Sequence, residues 1–209
     1  MWEQRYEQAV RDIIRYSALG YERMLVTAAG GNVSVRHGDK ILVTRSGVSL
    51  REVGEADILL VDLDGNVLVK HGEFKPSKES GFHLAIYRTR PSVRAVYHVH
   101  PPHVTAFTVE GGAFPRVTSA AKNKLCPAPL IEPLRSGSRE LLERVAETVR
   151  ENDEKTQALI LSGHGIVSFG ETLEDCFQTA ELMEDSARIA YMASQIRAAS
   201  VVSSGAAGV

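Results

Sequence analysis

The chain has 209 residues, enough for one domain with a sizeable core and short of two. Hydrophobic residues make up 44%, charged residues 24%, and the net charge is −2, so there is no basic excess to bind nucleic acid and no acidic block. No apolar run approaches the ~20 residues of a membrane helix, and MWEQRYEQAVRDII mixes charge into its apolar positions, unlike a signal peptide. Cys126 and Cys176 form no CxxC pair and are expected as reduced thiols in a cytoplasmic protein.

In chain order, residues 2–19 have a helical period, with Ala9, Ile13, Ile14 and Ala18 on one side and Gly20 as the expected stop. Val33, Val35, Ile41 and Val43 alternate with polar residues, which predicts two strands joined at His37-Gly38-Asp39. ADILLVDLDGNVLVK predicts a second hairpin turning at Asp64-Gly65-Asn66. A helix is expected over 76–90, with Pro76 at its first position, Glu79 in its first turn and Pro91 at its end. VRAVYHVH reads as a buried strand ended by Pro101 and Pro102, and a short helix over 103–110 and a strand over 125–131 follow. Ser138 is the expected N-cap of a helix carrying Leu141, Val145 and Val149. QALILSGHGIVSFG reads as strand, glycine-containing break and strand. Thr172 and Asp175 then open a long helix to about Ile196. The expected fold is one mixed α/β domain over 1–197, a largely antiparallel central sheet flanked by helices, with a flexible tail over 198–209.

His98-Val99-His100 is the main chemical signal. Residues two apart on a strand point the same way, with Cα atoms about 6.5–7 Å apart, so two imidazoles can converge on one ion. The alternative is two histidines on a half-exposed strand face. His164, between Gly163 and Gly165 after an apolar run, supplies a third imidazole, and three protein ligands with an open position are what a catalytic zinc site needs. Cobalt, copper and nickel also accept three imidazoles. His37 and His71 adjoin turn glycines and read as solvated; His103 could line the site or cap a helix; His83 reads as a supporting or structural residue.

A surface role for Glu79 is the simplest reading, since negative charge suits a helix N-terminus; a proton-transfer role needs it beside the metal. Gly30-Gly31-Asn32, Thr44-Arg45-Ser46-Gly47 and Pro76-Ser77-Lys78 are each able to hold an anion, through backbone nests or a helix N-terminus, and imply a phosphorylated substrate only if the fold joins them. Lys122 and Lys124, the candidates for a Schiff-base lysine, lie in a polar segment and read as solvated.

The pieces GGNVSVR, ILVTRSG, DLDGNV, KPSKE, FHLAIYRTRP, AVYHVH, GSREL and LSGHGIVSFG run in order over roughly residues 20–195. In this order they resemble the class II aldolase/adducin family, and within it the L-fuculose-1-phosphate aldolase-like proteins. The resemblance implies zinc on His98, His100 and His164, with Glu79 as catalytic acid/base. It implies substrate phosphate on Gly31, Asn32, Ser46, Gly47, Ser77 and Lys78, and a homotetramer with active sites between subunits. The implied reaction is reversible cleavage of a phosphorylated ketose to dihydroxyacetone phosphate and an aldehyde through a metal-stabilised enediolate. Three positions depart from the pattern: Lys78 replaces a frequent serine, Ser119 aligns with a family tyrosine, and the tail AASVVSSGAAGV lacks another. Dehydratases, sugar-acid-phosphate decarboxylases and 4-epimerases of the family are the alternatives; epimerases usually carry aspartate at the Glu79 position. An adducin-like interaction domain would lack the zinc ligands.

Overall fold

The computed structural model describes residues 2–109 and 111–206, the last six by backbone alone. Eight strands form one sheet: β1 Asn32–His37, β2 Lys40–Thr44, β3 Ile58–Asp62, β4 Val67–Val69, β5 Ala95–Val99, β6 Leu130–Ile131, β7 Ala158–Leu161 and β8 Gly165–Gly170. Their order is β4-β3-β2-β1-β5-β8-β7-β6. Every pairing is antiparallel except β6 with β7. The expected α/β architecture with a largely antiparallel sheet is therefore the one observed.

Among the described residues six α-helices flank the sheet: α1 Glu7–Glu22, α2 Ser80–Thr89, α3 Pro102–Val109, α4 Ser119–Lys124, α5 Arg139–Glu151 and α6 Leu173–Ala206. Burial on both faces sorts them. Ile13 of α1 and Ala180, Met183 and Ala187 of α6 share one core with Tyr97, Ile160 and Ile166. Phe82 and Ile86 of α2 and Leu141 and Val145 of α5 share the other with Ile41, Val96 and Leu159. The alternation of β5 explains this split, because neighbouring residues Val96 and Tyr97 face opposite layers. Both expected hairpins form; at the second, Asp62 accepts from the backbone N–H groups of Asp64 and Asn66, which fixes the turn. Ser138 caps α5, its hydroxyl accepting from Leu141 N at 3.2 Å.

Three expected boundaries move. Gly20 does not stop α1, which continues to Glu22. Its role is close packing: a Cβ there would run into the Tyr97 hydroxyl, which is held by donating to Tyr16 O at 3.0 Å. Alanine normally gains about 1 kcal/mol over glycine inside a helix, whereas overpacking a core costs about 1–3 kcal/mol. Gly20→Ala is therefore expected to lower stability in urea unfolding; a gain would disprove the packing role. Second, Pro76 does not begin a helix. Residues 75–77 extend the pairing of β2, with Ser46 N donating to Lys75 O and Ser77 N to Thr44 O, so α2 can start only at Ser80. Third, α6 runs past Ile196, its expected end, to Ala206, within the segment expected as a tail. Residues 207–209 of that expected tail lie outside the described residues. No described helix is long and apolar enough to cross a membrane, and both cysteines are free thiols.

Candidate metal centre

β5 carries His98 within its buried run and leaves His100 one residue beyond its end, where His100 N donates to Leu25 O at 2.9 Å. His98 Nδ1 lies 2.8 Å from Ile166 O on the adjacent strand. A carbonyl only accepts, so Nδ1 carries a proton and Nε2 is the ring atom turned to the cluster. That Nε2 is 3.0 Å from His100 Nε2. His164 lies in the tight turn between β7 and β8, its N–H donating to Leu161 O at 3.0 Å. This turn reaches His100 because Gly165 has no side chain: a Cβ would collide with Val99 O and come within 2.9 Å of His100 Cδ2.

Glu79 completes the cluster from the other layer. It is the N-cap residue of α2 rather than a first-turn residue, and it is buried. Its Oε2 is 3.1 Å from His98 Nε2 and accepts from Asn32 Nδ2 at 3.0 Å. Its Oε1 is 3.3 Å from His164 Nε2 and accepts from Ser136 Oγ at 2.8 Å. Each carboxylate oxygen thus has one fixed donor and faces one imidazole.

The ligand atoms of Glu79, His98, His100 and His164 lie within 4.8 Å of one another. Four tetrahedral ligands about 2.0–2.1 Å from an ion are about 3.3 Å apart. The observed contacts of 3.0, 3.1 and 3.3 Å are close to that spacing. Three imidazoles and a carboxylate suit a divalent transition ion, so the residues present fit such a metal.

Burial pushes the His100 imidazole down to about 3, helped by His98 and His164, and lowers His164 in the same way. Burial also brings His83 to about 3. Burial raises the Glu79 carboxyl, but hydrogen bonding to His98 and Ser136 and the charges of His98 and His164 outweigh it and hold the group well below the carboxylate range. Both classes of group act in one direction. Between about 3 and 6.5 the unfolded chain binds protons at His83 and His100 that the folded chain refuses, so stability rises with pH. Glu79 contributes stability above its unfolded value, which is lost as pH falls through the folded one. Metal-free protein is expected to unfold at lower urea at pH 5 than at pH 7; equal midpoints would contradict this.

The three anion-capable stretches meet beside the cluster. Gly31, Asn32, Ser46, Gly47, Ser77 and Lys78 line one cavity of about 270 Å³, with Glu79, His100 and His164 in its wall. Asn32, which lines the cavity, also donates from its side-chain amide to Glu79. Arg45 also lines the cavity, its Nε on Asp57 Oδ1 at 2.5 Å and its guanidinium 4.3 Å from the Phe74 ring centroid. Ser119 opens α4, is exposed, and lies outside this cavity. A roomier groove of about 640 Å³ between α4 and α6 holds Arg23, Lys124 and Asp175 but none of the residues above.

Two contributors were not singled out by sequence. Arg45 was visible only as a member of a loop. Ser136 stands two residues before the N-cap Ser138, and its contact with Glu79 spans 57 residues, so no local period marks it.

Residues 11–191 match the family described as Class II Aldolase and Adducin N-terminal domain. An L-fuculose phosphate aldolase of Methanococcus maripaludis is 32% identical over 186 residues, 89% of this chain and 98% of that protein. At 30% identity are a 3-oxo-tetronate 4-phosphate decarboxylase of Haemophilus influenzae (82% of this chain, 81% of that protein) and an L-ribulose-5-phosphate 4-epimerase of Salmonella paratyphi B (94% and 87%). The crystal structure of L-fuculose-1-phosphate aldolase from Thermus thermophilus superposes with a TM-score of 0.80 at 27% identity, covering 91% of this chain and 96% of that one. With the family's pattern spanning most of its length and its fold reproduced, the chain belongs to the class II aldolase/adducin family, on its L-fuculose-phosphate-aldolase-like side.

Proposed function

We propose that this chain is a metal-dependent lyase that reversibly cleaves a phosphorylated ketose of the L-fuculose-1-phosphate type to dihydroxyacetone phosphate and an aldehyde. One observation carries the reading: Glu79 stands in the wall shared by the three-histidine cluster and the polar cavity. A group that must move a proton at a metal-held substrate belongs in that wall.

His98, His100 and His164 would hold the ion, zinc by preference of the donor set, and a bound divalent ion supplies the positive charge that stabilises the oxyanion developing as the carbon–carbon bond breaks. Ser77, the backbone at Gly31 and Gly47, Ser46 and Lys78 bind the phosphate and so orient the ketose. Lys78 acts as a point charge, without the fixed geometry of a hydroxyl donor. The departing carbon's hydroxyl gives its proton to Glu79 as the bond's electron pair moves toward the ketone carbon, the departing carbon becomes the aldehyde, and Glu79 passes that proton to the carbon left behind. In the condensation direction Glu79 removes that proton.

Sugar-acid-phosphate decarboxylation is the second reading, favoured by Lys78 in the cavity and by the decarboxylase relative. Epimerization is disfavoured by glutamate at position 79. We also propose a homotetramer with sites at subunit boundaries; Ile189, Tyr191, Met192 and Ile196 expose apolar surface along α6, which self-association would cover.

The test is a panel of phosphorylated ketoses and sugar acids, run with and without chelator, with aldehyde, epimer, dehydration product and carbon dioxide measured separately. Chelator-sensitive release of aldehyde and dihydroxyacetone phosphate is expected. Carbon dioxide as the sole product would replace this reading with the second one.

A further inference from the structure

His83 touches neither the cavity nor the histidine cluster in the chemistry above, yet its imidazole is fully buried beneath them. Asn32 and Ser34 are two residues apart on β1 and share a face, with Cα atoms about 6.5–7 Å apart. Glu79 and His83 are one turn apart at the start of α2, a similar spacing. A contact closes each pair: Asn32 Nδ2 donates to Glu79 Oε2 at 3.0 Å, and Ser34 Oγ lies 2.7 Å from His83 Nδ1. Strand and helix are therefore joined by two neighbouring rungs.

Proton bookkeeping on the second rung determines the tautomer of His83. Tyr87 Oη donates to Ser34 O at 3.0 Å, and a carbonyl can only accept. Tyr87 has then used its one proton, so in the 2.8 Å contact between the hydroxyls Ser34 Oγ donates to Tyr87 Oη. Ser34 has then used its own, and His83 Nδ1 must donate to Ser34 Oγ. His83 Nε2 is left as an acceptor. On the first rung Asn32 Nδ2 donates to Glu79, which leaves the carbonyl oxygen Asn32 Oδ1 as an acceptor turned away from the carboxylate. Neither atom has a hydrogen-bond partner among the described residues, and both side chains are buried, at 0% and 2% exposure. Two buried acceptors on adjacent rungs cannot bond each other. A single water, with two hydrogens to give, satisfies both.

We propose that one buried water donates to both His83 Nε2 and Asn32 Oδ1, making His83 a positioning residue that holds the Asn32 amide with its donor turned to Glu79. Without that water nothing distinguishes the two ends of the amide on the His83 side. A flipped Asn32 would place its oxygen against the Glu79 carboxylate and displace the group proposed to move the proton.

The test uses the full-length, metal-loaded protein. Long-range ¹⁵N NMR of the histidine rings is expected to find His83 neutral, protonated at Nδ1 and bare at Nε2; a proton on Nε2 would overturn the proposal. A high-resolution crystal structure is expected to contain one water within hydrogen-bond distance of both atoms, and its absence would likewise overturn it. His83→Asn keeps a donor for Ser34 and loses the acceptor facing Asn32. It should lower kcat about 10-fold with little change in KM or metal content, the scale of a lost supporting contact. His83→Gln, long enough to offer its amide oxygen to the water, should recover most of that loss. Full activity in His83→Asn, or equal losses in both variants, would reduce His83 to packing. Only the kinetic arm rests on the lyase reading: if no aldehyde is formed, the variants are assayed on whichever reaction the substrate panel detects, and the tautomer and the water decide the proposal by themselves.

Discussion

Glu79→Gln is expected to retain the metal and lose about 10²–10⁴-fold in turnover, the contribution typical of a positioned general acid/base. Glutamine is nearly isosteric: its carbonyl oxygen can still accept from Asn32 while its amide donates to the Ser136 hydroxyl, which can accept, so the cavity should keep its shape. What it cannot do is carry the proton. The carboxyl is held ionised even though it is buried, because His98, Ser136 and His164 together outweigh the cost of burial. In the proposed reaction it is therefore a base in the resting protein and would become an acid only after taking a proton from the substrate. Turnover measured by coupled assay alongside metal content separates these functions. Near-normal turnover in the variant would remove Glu79 from the chemistry.

His98→Ala should be the most damaging change to metal binding. Supporting residues around a metal typically cost 10–100-fold in affinity when removed, and a direct ligand should exceed the upper end, about 100-fold. His98 is also the best fixed of the three imidazoles: it is fully buried, its tautomer is set by Ile166 O, and its strand pairs with β1 and β8 on either side. The variant also leaves Ile166 O without its side-chain donor inside the core, so a loss of stability should accompany the loss of metal. His37→Ala is the control; this histidine lies at the end of β1 beside the first hairpin turn and packs on Tyr6. Titration of metal-stripped protein with zinc gives the comparison. Equal affinities for the two variants would exclude His98 from the ligand set.

The sheet was largely legible because its strands declare themselves locally. Val33, Val35, Ile41 and Val43 alternate, and the turns at Gly38 and Gly65 have positive φ, where glycine is at ease. Helix ends were less legible where packing overrode local preference. Gly20 looked like a stop because glycine is a poor helix former, and the requirement for space above Tyr97 lies 77 positions away in the chain. Pro76 looked like a helix start, while the competing pairing with Arg45 is invisible to any local rule.

The sequence by itself determined which imidazoles are the candidate ligands and the convergence of two of them. A two-residue period on a buried strand puts His98 and His100 on one face, whatever else the chain does. Tertiary structure alone decided what joins them. Glu79 reaches His98 because α2 crosses the sheet beside β1, and Ser136 reaches Glu79 through a loop that no spacing in the sequence connects to it. His164 meets His100 because β8 pairs with β5 and a glycine leaves room at the crossing. These contacts depend on register and close approach between distant segments. Local periodicity carries no information about either, so the sequence supplied the chemistry of the centre and the fold supplied its geometry.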